Sequence, residues 1–442
     1  MPRDDDSLES APRIPDELTD FLRTGRTLLI KGEAGTGKTT LALGILQSLE
    51  PTDCIYFSTR TPPSILYEYY PWLRDKTVLG PLDIQFLETR LESPERLLSR
   101  LRDQLLKMER PFLVVDTWDA IATEMEPKEQ LQTAKAIITT TYGTNGRTIL
   151  VEETKETSFL DYLFDGVVTL TTADVYGESE GGRVYEDRLE RRSQREIELK
   201  KLKGVRIDNR RYTITLESGI FRSFPSFHEN LSVKPAKTPD PANDRVSSGI
   251  PNLDKITGGF RRGSLNLFEI EHGVDLRYLQ IHTQIAWNAS ANRKGVIIVP
   301  SIGEVYPPEL LQNAILYRPR ADDFENEMQS MEGLARESFD SEQLRNGLVI
   351  LLGFDALLNR FGSDTGIPIV ETAIDHAQES GHTIIGTMKR GMGFLEYVTH
   401  TVDSHFVFKD LNNALIIYGM RPKTGLYAVD LINNQIHLMP IV

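Results

Sequence analysis

The strongest chemical signal in the chain is Gly32-Glu33-Ala34-Gly35-Thr36-Gly37-Lys38-Thr39, an instance of G-x-x-x-x-G-K-[ST]. Glycines let such a loop wrap until its backbone N–H groups reach phosphate oxygens, and the helix that follows adds partial positive charge. Lys38 is placed to reach the β- and γ-phosphates and the Thr39 hydroxyl to ligate Mg²⁺. Glu33, Ala34, Thr36 and Thr40 complete the cradle. The ligand this implies is a purine nucleoside triphosphate, ATP with Mg²⁺. A loop of this kind needs a carboxylate on a neighbouring strand to hold the metal. Asp116, at the end of Pro111-Phe112-Leu113-Val114-Val115-Asp116, supplies it.

The elements around these residues suit the task. Thr27-Leu28-Leu29-Ile30-Lys31 is aliphatic enough for a buried strand, and residues 39–46 space Leu and Ile as one helix face. Leu105-Leu106-Lys107-Met108-Glu109 reads as the end of the helix that a βαβ crossover places before the Asp116 strand. Strand, loop and helix therefore follow in the order that the motif requires.

A chain of 442 residues exceeds one ordinary core and implies two domains. No apolar run approaches the roughly 20 residues needed to span a bilayer. The first residues lack the basic-then-apolar order of a signal peptide, and the single cysteine, Cys54, has no internal partner. A cytoplasmic protein without a membrane role is the expectation. A net charge of −14 argues against broad attraction to nucleic acid or anionic lipid.

Internal similarity organises the remainder. Val115-Asp116-Thr117-Trp118-Asp119 aligns with Leu351-Leu352-Gly353-Phe354-Asp355, Gly146-Arg147-Thr148 with Gly381-His382-Thr383, and Phe159-Leu160-Asp161-Tyr162 with Phe394-Leu395-Glu396-Tyr397. The offsets are 236, 235 and 235 residues. The chain is thus expected to hold two versions of one α/β domain. In the second, Ile270 and Asp275 stand where the loop glycines belong, Leu276 replaces the lysine, Arg277 the hydroxyl ligand and Leu352 the metal-holding acid. Like charge at Asp275 would repel a triphosphate, so the second copy is expected to keep the fold without the nucleotide.

Ser248-Gly249-Ile250-Pro251-Asn252-Leu253-Asp254 with Thr257-Gly258-Gly259-Phe260-Arg261-Arg262-Gly263 resembles the opening of domains in the KaiC and RadA branch of the RecA superfamily. Lys201-Leu202-Lys203-Gly204 resembles the segment that closes them. Within that branch, Ile14-Pro15-Asp16-Glu17-Leu18, Tyr56-Phe57-Ser58-Thr59-Arg60 and Pro71-Trp72-Leu73 are most similar to the GvpD family of archaeal gas-vesicle regulators. The wider resemblance spans nearly the whole chain, the narrower one chiefly its first hundred residues. It implies an α/β fold of two tandem RecA-like P-loop NTPase domains, each a mostly parallel sheet flanked by helices. KaiC-like domains carry a catalytic glutamate after the second strand, where this chain has Ser58-Thr59-Arg60. Arg60 is then a candidate γ-phosphate sensor, and Glu152 or Glu153, at the tip of strand 147–151, a candidate to position water. From ring-forming relatives, a homo-oligomer is expected in which Lys201 and Lys203 reach a neighbouring subunit's nucleotide.

The expected division is a first domain over 1–230, a linker over 231–244 containing Pro235, Pro239 and Pro241, and a second domain over 245–442. Between Arg183 and Arg211 lie 11 Arg or Lys residues. Arg188, Arg191, Arg192 and Arg195 fall at helical spacing among Glu186, Glu190, Glu196 and Glu198, as a self-neutralising helix or a docking surface for an acidic protein. The function expected is a nucleotide-gated regulator whose ATP state controls a protein partner, with slow or absent hydrolysis. The alternative is a RadA-type ATPase on DNA. A KaiC-like autokinase needs a live second site, which Leu276 and Leu352 speak against.

Overall fold

The computed structural model describes residues 11–75, 77–79, 94–123, 125–175, 192–224, 237–320 and 323–442. They form two compact units, the first chiefly residues 1–175 and 193–225, the second chiefly 226–440. No helix among the described residues is long and apolar enough to cross a membrane.

In the first unit the strands are β1 Thr27–Gly32, β2 Cys54–Ser58, β3 Thr77–Leu79, β4 Phe112–Asp116, β5 Arg147–Glu152, β6 Gly166–Val175, β7 Arg192–Leu202, β8 Arg211–Thr215 and β9 Arg222–Ser223. They form one sheet in the order β3-β2-β4-β5-β1-β6-β7-β8-β9. Pairings among β1 to β6 are parallel, and β7, β8 and β9 pair antiparallel. The parallel strands are apolar on both faces because helices cover both. Leu28, Ile30, Tyr56, Val114 and Val151 pack on the helix Lys38–Leu49. Leu29, Phe57, Val115 and Leu150 pack on the other side, under the helices Pro94–Leu105 and Pro127–Gly143.

The second unit opens with a ribbon of β10 Arg245–Val246 and β11 Phe260–Arg261. Its sheet contains β12 Ser264–Ile270, β13 Gly295–Val299, β14 Ile315–Leu316, β15 Leu348–Gly353, β16 Thr383–Lys389, β17 Ser404–Leu411, β18 Ala414–Arg421, β19 Lys423–Ile432 and β20 Gln435–Pro440. The order, β14-β13-β15-β16-β12-β17-β18-β19-β20, repeats that of the first sheet strand for strand. The internal similarity in the sequence is therefore a similarity of topology.

Two expectations need correction. Arg192 and Arg195 do not lie on a helix: they belong to β7, where Ile197 and Leu199 alternate into the core and Arg195 pairs with Ile214 of β8. An inward alternation of period two outweighs charge pairs worth a few tenths of a kcal/mol. Arg183, Glu186, Arg188, Glu190 and Arg191 lie outside the described residues, as do residues 231–236 of the expected linker; 237–244 is irregular. The second correction concerns register. Val115 pairs with Leu150, and Leu352 with Gly386. Val115 and Leu352 each face the layer away from the helix that follows the first strand of their sheet. The counterpart of Asp116 is thus Gly353, one residue beyond Leu352. A Cβ at Gly353 would lie 2.4 Å from the Ser301 nitrogen, so the backbone there excludes any side chain.

Lys31 of β1 is fully buried and ionic. Its Nζ lies 2.5 Å from Asp161 Oδ1 and 3.4 Å from Glu152 Oε2, and donates to the Glu156 carbonyl. Lys31→Met would leave two carboxylates facing a low-dielectric interior without their cation. Urea unfolding of the full chain is expected to show a loss of about 3–5 kcal/mol in the stability of the first unit. An unchanged midpoint would show that the pair's desolvation already cancels its attraction.

Candidate nucleotide-binding site

Gly32 closes β1 and Lys38 opens the helix Lys38–Leu49, so residues 33–37 turn over the sheet edge between them. Gly37 has φ 99°, and a Cβ there would sit 2.6 Å from the Leu216 side chain; conformation and packing both require glycine. Thr36 Oγ1 donates to the Glu33 carbonyl at 2.8 Å, tying the two ends of the turn together. Glu33, Ala34 and Gly35 are exposed, while Thr39 and Thr40 are half-buried in the first helical turn.

Lys38 Nζ folds back onto the loop and donates to the Glu33 carbonyl at 2.7 Å, with Glu153 Oε1 4.0 Å away. Burial holds its pKa below the ordinary lysine value, opposed by the carboxylates of Glu153, Asp116 and Asp119. The ammonium thus sits inside a loop of inward-turned backbone, beside carboxylates, where a phosphate oxygen could replace its carbonyl partner.

Asp116 ends β4 on the face covered by that same helix. Its Oδ2 accepts from Thr39 Oγ1 at 2.7 Å and from Tyr56 Oη at 2.6 Å. Burial raises its pKa even though both bonds favour the carboxylate. Thr39 and Asp116, the two groups expected to hold Mg²⁺, are therefore in direct contact, and their hard oxygen donors suit that ion. Tyr56 was not singled out in the sequence; its place on the Asp116 face follows from strand alternation once the pairing of Ser58 with Asp116 is known.

The two candidate glutamates separate. Glu153 accepts from Arg60 Nη1 at 2.5 Å, and its backbone N–H donates to Asp119 Oδ2 at 2.7 Å, so Lys38, Arg60 and Glu153 form one cluster. Glu152 lies on the opposite face with Leu150, beside Lys31, and accepts from Ser158 Oγ at 3.0 Å. Burial raises the Glu152 pKa, countered chiefly by Lys31. Lys201 is not at the loop: its amine donates to the carbonyls of Asp161 at 3.1 Å and Phe164 at 2.6 Å. Lys203 is exposed, with Nζ 3.5 Å from Asp165 Oδ1.

Arg195 joins the loop instead. From β7 its Nη1 donates to the Gly35 carbonyl at 2.7 Å and lies 3.4 Å from Thr172 Oγ1. Sequence reasoning missed this contact because it took the segment for a helix. The alternating Ile197 and Leu199 were the available signal.

At the equivalent loop of the second unit, β12 ends at Ile270 and the helix begins only at Leu279. Arg277 is buried, bonded to Asp275 Oδ1 at 2.6 Å, Asp410 Oδ2 at 2.5 Å and the Asn413 carbonyl at 2.7 Å. Asp275 is thus neutralised, which removes the like-charge repulsion expected of it. An open cleft of about 380 Å³ here is lined by His272, Gly273, Asp275, Tyr278, Lys389 and Arg390. Lys389 is bound to Asp355 at 2.8 Å and Arg390 to Glu271 at 3.1 Å.

Residues 19–190 match the family model described as the P-loop domain of the GvpD gas vesicle protein. Protein GvpD2 of Halobacterium salinarum is 27% identical over an alignment covering 96% of this chain and 94% of that protein. Protein GvpD1 of the same organism is 30% identical, over 65% of this chain and 56% of its own length. A strand, glycine turn and helix that bring Lys38, Thr39 and Asp116 together agree with these matches: over residues 19–190 the chain is similar to the GvpD P-loop domain.

Proposed function

We propose that the first unit binds ATP with Mg²⁺ and that its nucleotide state governs docking of a protein partner, with slow or absent hydrolysis. The observation that carries this reading is the contact of Thr39 with Asp116 at 2.7 Å, one helical residue from Lys38. Phosphates would take the backbone N–H groups of the loop and the Lys38 ammonium, and Mg²⁺ would be held by Thr39 and, directly or through water, by Asp116. The ion would neutralise charge on the phosphates. Both sheets are read as RecA-like, on their shared strand order. The matching family model is described as a gas vesicle protein, which supports gas vesicles as the process regulated.

Several features favour switching over rapid turnover. The position after β2 carries Arg60 rather than an acid, and Arg60 holds Glu153, whose carboxylate lies 4.0 Å from Lys38 Nζ. A γ-phosphate arriving at Lys38 would compete for Arg60 and free Glu153, so ligand binding and rearrangement of this cluster are coupled. Lys203 is the better candidate to reach a neighbouring copy in a cytoplasmic homo-oligomer, because the Lys201 amine is engaged by two carbonyls. The second unit is read as nucleotide-free: no carboxylate can stand at Gly353, and the buried Arg277 is locked into ion pairs with Asp275 and Asp410. A RadA-like role on DNA is the second reading, and the chain's acidity disfavours it.

Calorimetric titration with Mg²⁺–ATP is expected to show one site per chain, lost in Lys38→Ala. In single-turnover assays, Glu153→Gln should lower any hydrolysis by about 10²-fold or more, whereas Glu152→Gln should leave it nearly unchanged. Rapid multiple turnover by the wild type would remove the regulator reading, and ATP retained by Lys38→Ala would remove the site. A further expectation concerns stability. A carboxyl whose folded pKa is raised loses folded-state stability as pH climbs from its unfolded value through the raised one, so ionised Asp116 is a net cost at neutral pH. Asp116→Asn should therefore raise the melting temperature of the nucleotide-free protein at pH 7, by on the order of 1 kcal/mol in stability. That gain should shrink as pH falls through the same window, and Mg²⁺-dependent ATP affinity should drop. A lower melting temperature at pH 7 would show that the bonds from Thr39 and Tyr56 outweigh desolvation.

A further inference from the structure

Away from either loop, the second unit brings together Glu332, His376 and His382. Glu332 lies on the helix Phe324–Ser338, His376 on the helix Gly366–Ser380, and His382 directly before β16, after the left-handed Gly381 that ends the second helix. One ligand atom from each lies within 4.8 Å of the other two. His376 Nε2 is 3.3 Å and His382 Nε2 4.0 Å from the same oxygen, Glu332 Oε1. The two rings meet edge to face, with centroids 5.9 Å apart.

Metal bonds of about 2.0–2.1 Å to nitrogen and oxygen put tetrahedral ligands roughly 3.3–3.5 Å from each other. The first of the two distances already matches, and the second needs a shift of about half an ångström to reach that range. An imidazole–carboxylate hydrogen bond is the ordinary alternative, yet His376 Nε2 is buried and makes no hydrogen bond. The other carboxylate oxygen, Glu332 Oε2, is held by Arg336 at 2.9 Å, which turns Oε1 toward the rings as an outer-shell partner does. On the far side of its ring, His382 Nδ1 accepts from the Leu348 N–H at a long 3.4 Å; ligation through Nε2 would move the ring proton to Nδ1 and open that contact.

We propose that Glu332, His376 and His382 bind a divalent transition cation of the zinc class, with water as the fourth ligand. Two neutral imidazoles and a carboxylate suit zinc better than Mg²⁺ or Ca²⁺, which prefer all-oxygen sets. The ion would tie two helices on one face of the second sheet to the start of β16. This inference does not depend on the nucleotide reading, since the residues belong to the other unit.

The test is competition for Zn²⁺ between a chromophoric chelator and the tag-free full chain, with melting temperature recorded with and without the metal. The expected result is one Zn²⁺ per chain and a raised melting temperature. Affinity should fall at least about tenfold in each of His376→Gln, His382→Gln and Glu332→Gln, and should be unchanged in His400→Ala, which alters an exposed histidine elsewhere. Glu332→Gln keeps the shape of the side chain, so it reports on ligation even if a histidine variant folds poorly. Absence of saturable binding would overturn the proposal. So would affinity that survives all three substitutions, or an equal loss in His400→Ala.

Discussion

A carboxylate buried at the end of a parallel strand organises the first unit. Asp116 is only 7% exposed, and both hydrogen bonds to its Oδ2 come from elements that must already be in place: Thr39 from the helix after the loop and Tyr56 from the adjacent strand. Burial disfavours its charge, and the two hydroxyls favour it. Through those two hydroxyl bonds the buried carboxyl sets helix Lys38–Leu49 and strands β2 and β4 at fixed spacing. A bound cation would offset the cost of ionising it there.

The pleat of the sheet decides which acids share that space. Glu152 and Glu153 are neighbours in sequence but face opposite layers, and only the second meets Lys38 and Arg60. Glu152 instead completes the buried pairing of Lys31 with Asp161 beneath the sheet. Register acts in the same way between the two copies. A shift of one residue moves the counterpart of Asp116 from Leu352 to Gly353, where backbone contact with Ser301 leaves no room for a side chain. The second unit's loss of the acid is thus built into the close approach of Gly353 to Ser301.

Charge around the second loop has been rearranged. Arg277 binds Asp275 and Asp410, Arg390 and Lys409 bind Glu271, and Tyr418 donates to Glu271 at 3.0 Å. Each of these ion pairs has one buried partner, Arg277 or Glu271. Breaking such pairs would leave charges uncompensated, so this end of the second sheet is held together by its polar groups as well as by its apolar layers.

By itself the sequence determined what depends on local order and composition. The glycine spacing identified the loop, the apolar runs identified β1 and β4, and repeated blocks showed that one topology occurs twice. What it left open were the facts that depend on which side of a strand a residue faces and on what lies across the sheet. The partnership of Tyr56 with Asp116, the separation of Glu152 from Glu153, the reach of Arg195 to Gly35, the engagement of Lys201 by two carbonyls and the convergence of Glu332 with two histidines were decided only in three dimensions. The physical reason is that a motif encodes chemistry along the chain, whereas a parallel sheet pairs residues distant in sequence and reverses every side chain with each single step of register.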